Sequence, residues 1–219
     1  MLQNRVDPVG DIIKTKERGL WMGNRGIVSN DRQEVTRAFG LMAWITCRLE
    51  YKGKRLPLME PNHNTQLFFM DEATSFSAGH RPCAFCRRED FNRFKEYWLK
   101  GNPGSGFDKK TSIREIDAVL QKERIGADRS KVTHDERPDQ LPDGAFVLFN
   151  DEPCLLYGGQ LYRWSPSGYG MPVALPGTGM LPVLTPRSVI NAFKAGYKPQ
   201  MTLSDALKEA TPSFVHGHR

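Results

Sequence analysis

Residues Leu67–Arg88 read LFFMDEATSFSAGHRPCAFCRR, and the rest of the chain is arranged around them. The apolar run Leu67–Met70 has the aromatic content of a strand. Asp71 follows, with a carboxylate that accepts from the free amides of a first helical turn, which predicts a short helix opening there. Gly79 takes the left-handed conformation that ends such a helix. Pro82 then leads into Cys83-Ala84-Phe85-Cys86, a compact turn in which two sulfurs face one point and form half of a zinc knuckle.

Working outward from this stretch, the upstream segment Leu41–Tyr51 has the β-branched and aromatic composition of a strand. Lys52-Gly53-Lys54 turns it back into Arg55–Met59, so Cys47 sits in one arm of a hairpin whose tip carries Lys52, Lys54 and Arg55. If this hairpin pairs with the strand Thr65–Met70, Cys47 comes to lie beside the Cys83 turn. Short strands are expected at Asp11–Ile13 and Leu20–Val28, with a brief helix at Glu34–Phe39 that Gly40 closes. Downstream, Arg87–Lys100 places Phe91, Phe94 and Trp98 on one helical face and a mainly basic set on the other.

Asn102–Lys110, rich in Gly, Pro and Ser, reads as a linker and domain boundary. Ser112 and Glu115 form a capping-box pair for a helix whose buried stripe is Ile113, Ile116, Val119 and Leu120, and Gly126–Gln140 reads as an exposed connector. Five short strands follow from Ala145 to Leu184, with Gly158-Gly159 as a two-residue hairpin turn. Thr185-Pro186 opens a helix that Gly196 closes, and one short helix is expected after Thr202. The expectation is an α+β protein: an αβ module over 1–101, a linker and helix over 102–140, and a small barrel-like β domain with flanking helices over 141–219.

A chain of 219 residues with 39% apolar content supports a folded core. It has no apolar run of membrane-spanning length and no apolar core of a signal peptide at its start, so the cytoplasm is the expected compartment and no membrane partner is expected. Four cysteines are too sparse for a disulfide scaffold, and metal binding by a clustered subset is the leading use for them. The net charge of +6 leans toward a polyanionic partner, DNA or RNA.

The order Phe68-Phe69, Ala73, then Ala78-Gly79-His80-Arg81-Pro82-Cys83-Ala84-Phe85-Cys86, with Trp44-Ile45-Thr46-Cys47-Arg48 upstream, resembles the N-terminal zinc domain of the Ada DNA methyl-phosphotriester repair family. The resemblance covers about residues 41–100. It implies zinc on Cys47, Cys83 and Cys86, and it implies that Cys47 is also a methyl acceptor that acts once per molecule. The family's second cysteine falls at Tyr51 here, so a fourth ligand comes from elsewhere: His63 on the intervening loop completes a Cys3His set, and His80 and Cys154 are the alternatives.

Arg81, Arg87, Arg88, Lys52, Lys54 and Arg55 flank the knuckle as candidate phosphate contacts. The chain carries no phosphate-binding glycine loop, nucleophile elbow, paired metalloprotease histidines or kinase signature. Three readings follow: a nucleic-acid-associated protein with a structural zinc site, single-turnover methyl transfer to Cys47, and a metal-free interaction or scaffold module.

Overall fold

The computed structural model describes residues 1–53, 58–204 and Leu207. Two six-stranded sheets and four helices make up the described part. The first sheet contains β1 (Gln3–Val6), β2 (Ile12–Lys14), β3 (Trp21–Asn24), β4 (Ile45–Cys47), β5 (Leu67–Phe69) and β6 (Arg81–Pro82), in the order β2-β1-β5-β3-β4-β6. The second contains β7 (His134–Glu136), β8 (Phe146–Phe149), β9 (Glu152–Tyr157), β10 (Gln160–Ser165), β11 (Gly168–Ala174) and β12 (Leu181–Val183), in the order β11-β10-β9-β8-β12-β7.

Helix α1 (Glu72–Ser77) lies between the sheets, and all six of its residues are buried. Asp71 caps it as its sequence position predicts, accepting from the Thr74 amide at 2.8 Å and the Thr74 hydroxyl at 2.7 Å. Gly79 stands just past its end with φ +87°, where a Cβ would lie 2.5 Å from Arg124 Cδ, so both conformation and space demand glycine. So short a helix is marginal alone and is held by packing on every side. Ala73 joins Phe146, Leu155 and Tyr162 of the second sheet, while Phe76 packs among Phe94, Trp98, Ile116, Leu120 and Phe193. Ala78 meets Val6, Leu67 and Phe69 of the first sheet.

The amphipathic helices fall where their periodicity places them. Helix α2 (Arg88–Gly101) buries Phe91, Phe94 and Trp98. Helix α3 (Ile113–Arg124) has the Ser112–Glu115 capping box and buries Ile116 and Leu120. Helix α4 (Arg187–Lys194) completes the shared helical core with Val189, Ala192 and Phe193. Gly158 and Gly159 turn β9 into β10 with φ of +55° and +71°, as the hairpin signal predicts.

Several expectations need correction. The β-rich half is an open sheet with β11 and β7 as its edges, and no closed barrel forms among the described residues. Residues 34–39 form no helix; Val35 makes an isolated bridge to Ser29 instead. The expected exposed connector contributes β7, which pairs with β12 and so extends the second sheet. Asn102 donates to the carbonyls of Trp98 and Ser188 and accepts from Asn191 of α4. No described helix is long and apolar enough to cross a membrane.

Candidate metal centre

Strands β4 and β6 are parallel neighbours, with Ile45 opposite Arg81 and Thr46 opposite Pro82. The Cys83 amide donates to the Thr46 carbonyl at 2.9 Å, so β4 ends at Cys47 where β6 gives way to the knuckle turn. Cys86 lies three residues on, just ahead of α2. The sulfurs of Cys47, Cys83 and Cys86 all lie within 4.8 Å of one another, although Cys47 is 36 residues from Cys83. Sulfurs around one tetrahedral zinc at Zn–S about 2.3 Å stand roughly 3.8 Å apart, so the three thiols fit such an ion with little movement.

The donor set suits a soft or borderline cation. All four cysteines are free, and those of the cluster are 7–9% exposed. Backbone amides support the sulfurs: the Phe85 N–H donates to Cys83 Sγ at 3.4 Å. Hydrogen bonds from Cys47 and Cys86 hold the Cys83 thiol well below the ordinary thiol range. The Cys47 thiol is raised by its hydrogen bonds to Cys83 and Cys86 and by burial. Cys86 is lowered by Cys47 but raised on balance by its bond to Cys83 and by burial. Three sulfurs so close cannot all carry charge without a cation among them, and a metal ion would supply that charge.

The structure does not bring His63 to this cluster. Its ring is exposed, with Nδ1 3.0 Å from the Pro61 carbonyl and 3.7 Å from Glu60, because the loop that carries it runs over the surface. His80 is fully buried but faces Arg25, Trp44 and Phe69. Cys154 lies in the second sheet, packed with Ala145, Val147 and Leu161. Tyr51 packs against the thiol cluster and meets the Phe85 ring at 5.2 Å.

The candidate phosphate contacts divide into two groups. Arg81 is buried and grips Asp117 with two bonds of 2.6 and 2.7 Å, which joins β6 to α3. Arg87 is buried against the Trp21 ring at 4.0 Å and pairs with Glu72 and Asp90. Both guanidiniums are therefore internal ties, since a buried cation needs a carboxylate partner. Arg88 and Lys52 are exposed, and Phe85 between the cysteines is 71% exposed. Lys54 and Arg55 lie outside the described residues.

Sequence reasoning missed the role of Met22. It lies directly opposite Cys47 in the β3–β4 register and packs into the thiol cluster, at 8% exposure. No motif marks it, because its partnership depends on strand pairing. Comparison with family models, curated proteins and solved structures finds no match for the chain.

Proposed function

We propose that the chain is a nucleic-acid-associated protein organised around a structural metal site, with zinc held by Cys47, Cys83 and Cys86. The convergence of three thiols from two segments distant in sequence carries this reading. Such a site joins β4, the knuckle and the start of α2 into one rigid unit. The partner is a nucleic-acid backbone, supported by the net charge of +6 and by the exposed Arg88 and Lys52 beside the site.

Metal analysis of the purified protein tests the first half of the proposal. About one equivalent is expected, and Cys83→Ser should lose it. A metal-free wild type of unchanged stability would leave only the scaffold reading. Affinity for single- or double-stranded nucleic acid should fall steeply with salt, and the double charge reversal Arg88→Glu with Lys52→Glu should weaken it by about tenfold or more.

Methyl transfer is a second reading, favoured by the place of Cys47, the last residue of β4, within the thiol cluster. A bound metal would keep its sulfur as a thiolate at neutral pH. In that step the Cys47 S–CH3 bond forms as the methyl–oxygen bond of a phosphotriester breaks, leaving an ordinary phosphodiester. A single methyl on Cys47 after incubation with methylated DNA, read by mass spectrometry, is the expected outcome. An unmodified Cys47 peptide would remove this reading and leave the structural one intact.

A further inference from the structure

Three thiols supply three of the four ligands that a tetrahedral ion takes. Among the described residues no histidine, aspartate or glutamate joins Cys47, Cys83 and Cys86 within 4.8 Å. What the fold does bring to the cluster is another sulfur. Met22 on β3 pairs with Cys47 on β4 in antiparallel register, so the two side chains leave the same face of the sheet from Cβ atoms about 5 Å apart. Cys83 flanks Cys47 from the other side, through β6. Met22, Cys47, Cys83 and Cys86 form one buried cluster, 7–9% exposed, walled by Ile45, Tyr51 and Phe68.

We propose that the Met22 thioether is the fourth ligand, which makes the centre an all-sulfur Cys3Met site selective for thiophilic d10 cations. The inference rests on the metal reading above and names the ligand and ion class of that same site. Two physical arguments favour the thioether. It is neutral, so a divalent ion with three thiolates and Met22 leaves the site at −1, whereas a fourth thiolate would leave −2 in surroundings that penalise charge. It is also soft: thiolate and thioether ligands together prefer thiophilic ions, so cadmium(II) should bind more tightly than zinc(II) or cobalt(II). The methionine side chain is unbranched and flexible, so it can swing its sulfur toward an ion without moving β3.

Selenium supplies the test. In selenomethionyl protein loaded with one equivalent of cadmium(II), X-ray absorption at the selenium edge should show a selenium–cadmium path at bonding distance. The path should vanish in Met22→Leu, while the cadmium–thiolate ultraviolet absorption persists. Exchange of Met for Leu conserves volume, so circular dichroism should be unchanged. Cadmium affinity in this variant should fall at least about tenfold, and the preference for cadmium over cobalt should narrow. One equivalent of cadmium with a full thiolate band but no selenium path in the unsubstituted protein would overturn the assignment of Met22 and leave the three-thiolate site standing. No thiolate band in either protein would overturn both.

Discussion

Strands β4 and β6 carry a buried cluster of like groups at each end. At the C-terminal end sit the thiols of Cys47, Cys83 and Cys86. At the N-terminal end, three residues back along each strand, Trp44 and His80 meet Arg25 and Arg124, and Lys131 lies close by. The two ends settle their charge differently. The cations find partners already built into the chain: Trp44 is flanked by Arg25 and Arg124, each 4.0 Å from its ring centroid. Carbonyls take several of the donors, with Arg25 on Gly10, Arg124 on Gly79 and Met42, and Lys131 on Ser77. Ser77 and Gly79 mark the C-terminal end of α1, where the helix dipole favours positive charge.

The thiol end has amide donors and one another, and no cationic side chain among its buried members. A core can therefore hold a group of like cations with dipoles, π faces and the charge of carboxylates such as Asp7, Asp11 and Asp117. A group of thiolates needs an ion. The Arg81–Asp117 pair ties β6 to α3 between the two ends, and the Asp117 carboxylate also favours the charge of Arg124 at the cation end.

The largest effect that sharpens this contrast is metal removal. Chelation, or Cys83→Ser, should take the thiol end apart and lower the unfolding midpoint by several degrees or more, while Cys154→Ser leaves metal content unchanged; metal analysis and thermal unfolding check both. Next, Trp44→Ala should destabilise the protein by about 3–5 kcal/mol in urea unfolding, because it removes a fully packed ring and the π face that both guanidiniums use. A loss below about 1 kcal/mol would show that the cation end does not depend on Trp44. Asp117→Asn leaves Arg81 buried without a counter-charge and should cost about 3–5 kcal/mol or somewhat less, with metal content retained.

The smallest effect is a pH dependence of the cation end, best measured in the Cys83→Ser background so that proton competition for metal is absent. Burial, with the charges of Arg25, Arg124 and Lys131, holds His80 well below its ordinary value of 6.5. The unfolded chain then takes up a proton first as pH falls below about 6.5, so this contribution to stability is present above that pH and is lost on acidification. Burial and Arg25 lower Lys131 from 10.5 to about 7. Between those values the unfolded chain binds the extra proton, so stability should rise as pH rises from 7 toward 10. Lys131→Met should flatten that upper limb, and an unchanged slope there would show that Lys131 does not titrate in that range.

Much of this fold is written in local pattern. Asp71 and Gly79 bracket α1, Ser112 and Glu115 open α3, and the spacing of Phe91, Phe94 and Trp98 orients α2. These features are legible because a cap or an amphipathic stripe is decided by residues within one or two turns. The strand Gln3–Val6 and the bridge-only segment at Val35 were not legible, since a strand of three or four residues exists only through its neighbours.

The candidate site divides the same way. The sequence by itself determined that Cys83 and Cys86 share a turn, and its resemblance to a known family pointed to Cys47 as their companion. Only the tertiary structure decided which other groups stand with them. Parallel pairing of β4 with β6 delivers Cys47, antiparallel pairing of β3 with β4 delivers Met22, and a surface loop carries His63 away. It also turned Arg81 and Arg87 from expected phosphate contacts into internal ties to Asp117 and Glu72. The reason is physical: a turn is closed by bonds between near neighbours, whereas the company a buried sulfur or guanidinium keeps is set by strand register and by the need to satisfy charge inside the fold.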